Sequence, residues 1–269
     1  MKRNDEEIIL VQRKILNWYK KNKRDLPWRK TSNPYFIMVA EFMLQQTQVS
    51  RTIEKYLEFI EAFPTLECLA TAKTADVLKV WSGMGYNRRA LWLQQAAQQI
   101  ITLDHFPETP GELEKLKGIG KYTSRAILIF AFNKNYASVD TNIRRILITE
   151  GFADETTSEK ELFVIAEKLL PKGKAREWHN ALMDYGSSEL TAAKTGIKPT
   201  SRPSSKNYKK TNRYFRGQLV KFLTSNSRLT KKQLISKIGL EQSKIDEILE
   251  GLIKDGLISK SGRYYHLPE

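Results

Sequence analysis

The fold of this chain turns on Leu113-Glu-Lys-Leu-Lys-Gly118-Ile-Gly120-Lys-Tyr122-Thr-Ser-Arg-Ala-Ile-Leu128, followed further on by Ser138-Val-Asp140-Thr-Asn142. The apolar spacing predicts a short helix over 113–117, a break at Gly118-Ile-Gly120, and a second helix over 121–132. Two glycines without Cβ atoms let the backbone turn tightly and approach a partner. Backbone N–H groups at the start of the second helix, helped by the helix dipole, suit an anion. Lys115, Lys117, Lys121 and Arg125 surround the turn, which favours a nucleic-acid phosphate over a carboxylate. An ordinary αα-hairpin with a glycine turn fits the same residues.

Working outward, the 269 residues are enough for one large domain or two. A formal net charge of +15, with 28% charged residues, points to a polyanion, nucleic acid first. A basic surface with no partner is the alternative. Cys68 is the only cysteine, which excludes an intrachain disulfide, a zinc–thiolate site and a cysteine-held iron–sulfur cluster. The N-terminus Met1-Lys-Arg-Asn-Asp-Glu-Glu lacks the apolar core of a signal peptide, and no run approaches a membrane span. The expectation is a soluble, cytoplasmic, nucleoid-associated monomer with no membrane partner.

Helical periodicity dominates residues 1–193, which read as all-α. Predicted helices cover 8–19, 34–49, 51–63, 74–81, 88–103, 113–117, 121–132, 142–151, 158–170 and 177–185. From Lys194 to Lys221 there are nine Lys or Arg and no acid, so 194–210 reads as a basic linker. Over 211–269, three helical patterns (212–224, 230–238, 243–255) precede a small hairpin between Lys254 and Leu267. Three helices and a β-wing make a winged helix-turn-helix DNA-binding module; a helical cap for stability or oligomerisation is the other reading.

Two carboxylates could carry chemistry. Glu41 lies beside the apolar stripe Ile37, Ala40 and Leu44. Lost hydration favours the neutral form of such a group, so it can act as an acid near neutral pH. An arginine-paired structural Glu is the plainer reading. Asp140 opens the helix that follows and is a favoured N-cap residue. A carboxylate held by backbone N–H groups also stays ionised and can stabilise or attack a sugar cation. Together the two would divide labour as in glycoside hydrolysis.

Six segments occur in order: Leu26-Pro-Trp28-Arg29, Glu41-Phe-Met-Leu-Gln-Gln-Thr-Gln48-Val, Trp81-Ser-Gly-Met-Gly-Tyr86, Gly118-Ile-Gly120-Lys-Tyr122-Thr, Val139-Asp140-Thr-Asn142 and Leu182-Met-Asp-Tyr-Gly186. Together they resemble the helix-hairpin-helix DNA glycosylases, and within them the MutY-type adenine DNA glycosylases, over roughly residues 8–190. The resemblance implies an all-α fold of two helical lobes with a DNA cleft between them. It implies double-stranded DNA with a mismatch or damaged base as partner, and excision of adenine opposite 8-oxoguanine or guanine by base flipping. By position, Glu41 resembles the acid that protonates the purine, and Asp140 the carboxylate that steadies the sugar cation. Tyr122 and Asn142 match base-pocket residues. Gln46 and Tyr86 match side chains that enter the base stack, and Leu44, Gln45, Gly118, Gly120, Lys121 and Thr123 join them in DNA contact. Relatives with strong lyase activity carry a lysine where this chain has Tyr122, so a monofunctional enzyme is expected.

Two departures stand out. Where the family usually has four cluster-binding cysteines, this chain has Ser187-Ser-Glu-Leu-Thr-Ala-Ala-Lys194, so no cofactor is expected and 187–210 must be held another way. The usual C-terminal domain resembling a nucleotide-pool hydrolase is also absent, and the winged helix stands in its place. Phosphate contacts are expected there from Arg213, Arg216, Lys231, Lys232 and Arg263. A thymine or uracil mismatch glycosylase is the second reading, although such relatives typically carry two arginines at the positions of Gln45 and Gln46. A non-catalytic winged-helix DNA-binding protein is the third.

Overall fold

The computed structural model describes residues 4–197 and 208–269. The chain begins with α1 (Asp5–Asn22), α2 (Pro34–Leu44), α3 (Val49–Ala62), α4 (Leu66–Thr71), α5 (Thr74–Trp81) and α6 (Arg88–Ile100). Then come α7 (Pro110–Leu113), α8 (Lys121–Phe132), α9 (Thr141–Thr149), α10 (Glu159–Lys168), α11 (Ala175–Ser188) and α12 (Ala192–Thr195). The C-terminal residues supply α13 (Asn212–Thr224), β1 (Leu229–Thr230), α14 (Lys231–Ile238), α15 (Gln242–Lys254), β2 (Ser259–Ser261) and β3 (Tyr264–His266). Among the described residues no strand precedes β1, so the all-α reading of the longer N-terminal part holds. Residues 198–207 of the expected linker lie outside the described residues.

Local sequence explains most of the boundaries. Asn4, Thr109, Ser158 and Thr230 each close a capping box with a Glu or Gln three residues on, satisfying N–H groups that a helix start leaves unpaired. Three expectations need correction. The helix predicted over 34–49 ends at Leu44, because Gln46 takes a left-handed φ of 54° and interrupts the ladder. The first helix of the hairpin is α7, set by the Thr109 cap and Pro110, rather than 113–117. Thr65 caps α4, a helix too short for its period to be read.

The described residues form two compact units that interleave along the chain. The first comprises 4–38, 108–115 and 119–197. Its core joins Ile15 of α1, Ile143 and Ile146 of α9, and Trp178 and Leu182 of α11. Burying side chains of this size contributes about 1.5–3 kcal/mol each. The second comprises 39–107, 116–118 and 208–269. There α6 packs on α4 and α5, and α5 on α3, around Phe42, Phe59, Trp81 and Leu93. The C-terminal helices belong to this unit: α13 packs on α14 and α15 and also meets α5. The strands form one antiparallel sheet in the order β1-β3-β2. The expected hairpin is its β2–β3 pair, and β1 is an addition that two residues could not announce.

Candidate active site and nucleic-acid interface

In the second unit, α2 carries Glu41 with only 8% of its surface exposed, between Ala40 and the fully buried Phe42. Just beyond, the chain turns at Gln46, which is exposed. The loop before α6 turns at Tyr86, whose φ is 47°. One side chain fastens both turns. Arg89 Nη1 donates to the carbonyls of Phe42 (2.8 Å), Met43 (3.0 Å) and Gln45 (2.5 Å). Its Nη2 donates to Thr47 Oγ1 (3.1 Å), Met84 O (3.4 Å) and Gly85 O (3.2 Å). A cation beside the last carbonyls of a helix also complements its dipole. Burial pushes Arg89 down to about 10, with Tyr86 opposing and Arg213 adding to the fall, so the clasp stays charged at neutral pH.

The Gly118 turn is needed twice over. Its φ is 80°, and a Cβ there would lie 2.8 Å from Trp92 Cβ and 2.9 Å from Phe42 Cε1. Lys117 N–H donates to Gln99 Oε1 at 3.0 Å. In the first unit, Gly120 is the N-cap of α8, with no side chain capping it and nothing within 4 Å of where its Cβ would stand. Lys115, Lys117 and Lys121 are exposed. Arg125 is not part of this basic group: it reaches the Ala137 carbonyl (3.3 Å) and stacks 4.6 Å over Phe163. Tyr122 is the second residue of α8, half-buried, followed by the buried Thr123.

Asp140 heads α9, also in the first unit. Its Oδ1 accepts the Ile143 N–H at 2.7 Å and its Oδ2 the Asn142 amide at 3.0 Å. Asn142 in turn accepts from Arg145 Nη2 at 2.6 Å. Despite these hydrogen bonds and the Arg145 charge, burial prevails and pushes the Asp140 carboxyl above its ordinary value. The expectation that N–H groups alone keep it ionised therefore needs this correction. The segment before it is anchored by His179 of α11, whose Nε2 accepts the Ser138 N–H at 3.1 Å. Gly186 lets α11 approach α9, since a Cβ there would be 2.8 Å from Asn142 Cβ.

The structure joins motifs that the sequence shows apart. Arg29 forks onto Asp184 through two bonds of 2.7 and 2.8 Å, and Arg24 adds its Nε at 2.5 Å. Burial alone would raise Asp184, but these partners prevail and hold it below the usual carboxylate range. The residues after α11 are held without thiols. Ser187 and Ser188 donate to the Asp184 carbonyl, Arg145 to the carbonyls of Gly186 and Leu190, and Lys194 to that of Ser188. Arg89, Arg145, His179 and Asp184 are functional candidates that the sequence alone does not single out. Arg29 and Asp184 lie inside the quoted motifs, which is the signal that could have found them; His179 offers none.

Arg213 of α13 lies 4.1 Å over the Tyr86 ring and 5.1 Å over that of Tyr208. Arg216 pairs with Asp255, and Lys231 with Asp246. Arg263 donates to the Tyr264 hydroxyl, while Lys232 is exposed. Thus Glu41, Leu44, Gln45, Gln46, Tyr86, Gly118 and the C-terminal basic residues lie in the second unit, and Gly120, Lys121, Tyr122, Thr123, Asp140 and Asn142 in the first.

Residues 39–172 match a family described as HhH-GPD superfamily base excision DNA repair protein. An adenine DNA glycosylase of Mycolicibacterium smegmatis is 35% identical over 93% of this chain and 94% of its own. The Homo sapiens adenine DNA glycosylase is 32% identical over 70% of this chain, a stretch that is 37% of the human protein. Among solved structures, a thermostable thymine-DNA glycosylase superposes with a TM-score of 0.65 at 28% identity, over 71% of this chain and 91% of its own. An endonuclease III in a trapped covalent complex with DNA shares the fold, at 19% identity and a TM-score of 0.63 over 75% of this chain and 94% of its own.

Proposed function

Because the chain belongs to the HhH-GPD superfamily of base excision DNA repair proteins, among its adenine DNA glycosylases, we propose that it hydrolyses the N-glycosidic bond of adenine mispaired with 8-oxoguanine or guanine in double-stranded DNA. The observation that carries the reading is the end-to-end likeness to the M. smegmatis adenine DNA glycosylase. Glu41 and Asp140 supply chemistry that fits it. Glu41 gives a proton to the adenine ring, so the base leaves as a neutral molecule with the electron pair of the broken C1′–N bond. Asp140, as an anion, balances the positive charge that develops on the sugar. Water then adds to C1′ and sheds a proton. Asn142 orients Asp140, and Tyr122 lines the base pocket. Gln46 and Tyr86 enter the stack as the base turns out, and the Gly118–Lys121 turn holds the backbone.

The C-terminal module is read as a winged helix that adds phosphate contacts through Lys232, Arg213 and Arg263; Arg216 and Lys231 already hold carboxylates. Tyr122 offers no amine for a Schiff base, so borohydride is expected to trap no covalent complex with DNA. The cluster common in the family does not fit the residues present. After α11 stand serine and threonine hydroxyls where thiolates would be needed, and the lone Cys68 is an exposed residue of α4.

The test is strand breakage on labelled duplexes carrying A:8-oxoguanine, A:G, T:G or U:G. Breakage opposite guanine or 8-oxoguanine at adenine alone, and only after alkali, is the expected result. Breakage at T:G or U:G would instead favour the mismatch reading, which the 28% identical thymine-DNA glycosylase structure supports. Glu41→Gln is expected to abolish excision while leaving duplex affinity within a few-fold. Excision near the wild-type rate would remove Glu41 from the acid role, and a wild-type chain that binds duplex but cleaves none of the four would leave the non-catalytic reading.

A further inference from the structure

Within the second unit, a cavity of about 580 Å³ opens beside the turns of Gln46 and Tyr86, a size common for small-molecule sites. Its wall is completed by α13 and Tyr208 of the C-terminal module. Five arginines and no carboxylate line it. Three of the five are already engaged: Arg88 and Arg216 with Asp255, and Arg89 with the turn carbonyls. Arg213 has aromatic faces beneath it but no carboxylate partner among the described residues. Its hydrogen-bonding fork is therefore open to a ligand at the rim of an aromatic-walled cavity.

We propose that this cavity receives a nucleobase of the bound duplex and that Arg213 reads its edge, so that the C-terminal module sets the preference for the base opposite the excised one. A planar base stacks on tyrosine or tryptophan whatever its identity. Selection then falls to the guanidinium, which makes two parallel bonds to carbonyl and ring acceptors on a purine's major-groove edge. Guanine offers O6 and N7 there; 8-oxoguanine offers O6 and O8. A pyrimidine reaches less far and presents one group. The inference rests on the glycosylase reading for its substrate, but opposite-base selection is measurable without any excision.

The experiment uses the full chain and duplexes bearing tetrahydrofuran, an uncleavable abasic analogue, opposite 8-oxoguanine, guanine, cytosine or thymine. Expected is tighter binding opposite the two purines, and an Arg213→Ala variant in which that preference falls about ten-fold while affinity opposite pyrimidines changes little. Arg213→Lys, which keeps the charge but not the fork, is expected to restore affinity without restoring the preference. Equal weakening opposite all four bases would mark Arg213 as a phosphate contact and overturn the proposal. A wild-type chain with no opposite-base preference, or an Arg213→Ala chain that keeps it, would overturn it as well. Adenine excision is assayed separately: a chain that shows the Arg213-dependent preference but never releases adenine sinks the glycosylase reading and leaves this one standing.

Discussion

His179 and Asp140 flank one short segment, and protons act on them in opposite directions. His179 lends a lone pair to the Ser138 N–H and lies 2.8 Å from the Ala175 carbonyl, so the neutral ring satisfies both neighbours. A second proton would set two donors face to face. Burial pushes its pKa from 6.5 to about 4, with the Ala175 carbonyl opposing. Between those values the unfolded chain takes up a proton that the folded chain refuses. Stability from this site is complete above pH 6.5 and drains away as pH falls toward 4, by roughly 3 kcal/mol at most. Asp140 runs the other way: its raised pKa makes the ionised form a burden above its unfolded value, which acid relieves. Urea unfolding at neutral and mildly acid pH is expected to show His179→Gln losing less stability on acidification than wild type; equal losses would remove His179 from the account. In excision assays the acid limb set by Asp140 is expected above the ordinary carboxylate range, and Asp140→Asn is expected to lose most turnover. If that variant loses only the ~1 kcal/mol of a weakened cap, Asp140 is a helix cap and nothing more. Asp140 was legible because a capping carboxylate and its motif coincide. His179 was not, since one histidine on α11 looks the same whichever way it faces.

At the scale of elements, the hairpin was readable from its glycines, whereas the end of α2 was not. Gln45-Gln46-Thr47-Gln48 contains no glycine or proline, and its period runs on smoothly. The helix stops because Arg89, far along the chain, draws its last carbonyls aside, and no local pattern carries that information. Arg89→Met is expected to destabilise the fold by on the order of 3 kcal/mol, because several buried carbonyls lose their donor together. It should also impair duplex binding, since the turns of Gln46 and Tyr86 lose their common anchor. Thermal unfolding and duplex titration check both; an unchanged Tm would mean that the turns hold themselves. The glycines separate by role. Gly186→Ala forces α9 and α11 apart, with an expected cost of about 1–3 kcal/mol and slowed excision. Gly120→Ala meets nothing, so Tm should hold while duplex affinity falls; unchanged affinity would reduce the hairpin to a connector.

At the scale of the molecule, composition separates residues 211–269 from the rest, but it carries no trace of where they pack. Arg88 and Asp255 pair within the second unit, and Gly256 lies near Leu91. Truncation after about Lys194 is therefore expected to lower Tm as well as weaken DNA binding. It should also flatten the salt dependence of binding, by about one logarithmic unit of slope for each phosphate no longer neutralised. A truncated chain with unchanged Tm would show a merely tethered module. Metal analysis of purified protein is expected to find no stoichiometric iron, because hydroxyls and carbonyls occupy the places after α11 where thiolates would be required; iron at one cluster per chain would overturn that account. The exposed thiol of Cys68 then has a meaning for life under oxidants. Peroxide would find no inorganic sulfide to strip out and one cysteine to attack, at the surface of α4. Its chief thiol lesion should be a disulfide-linked pair of chains that dithiothreitol dissolves on a gel, leaving a repair enzyme intact while the damage it answers is being made.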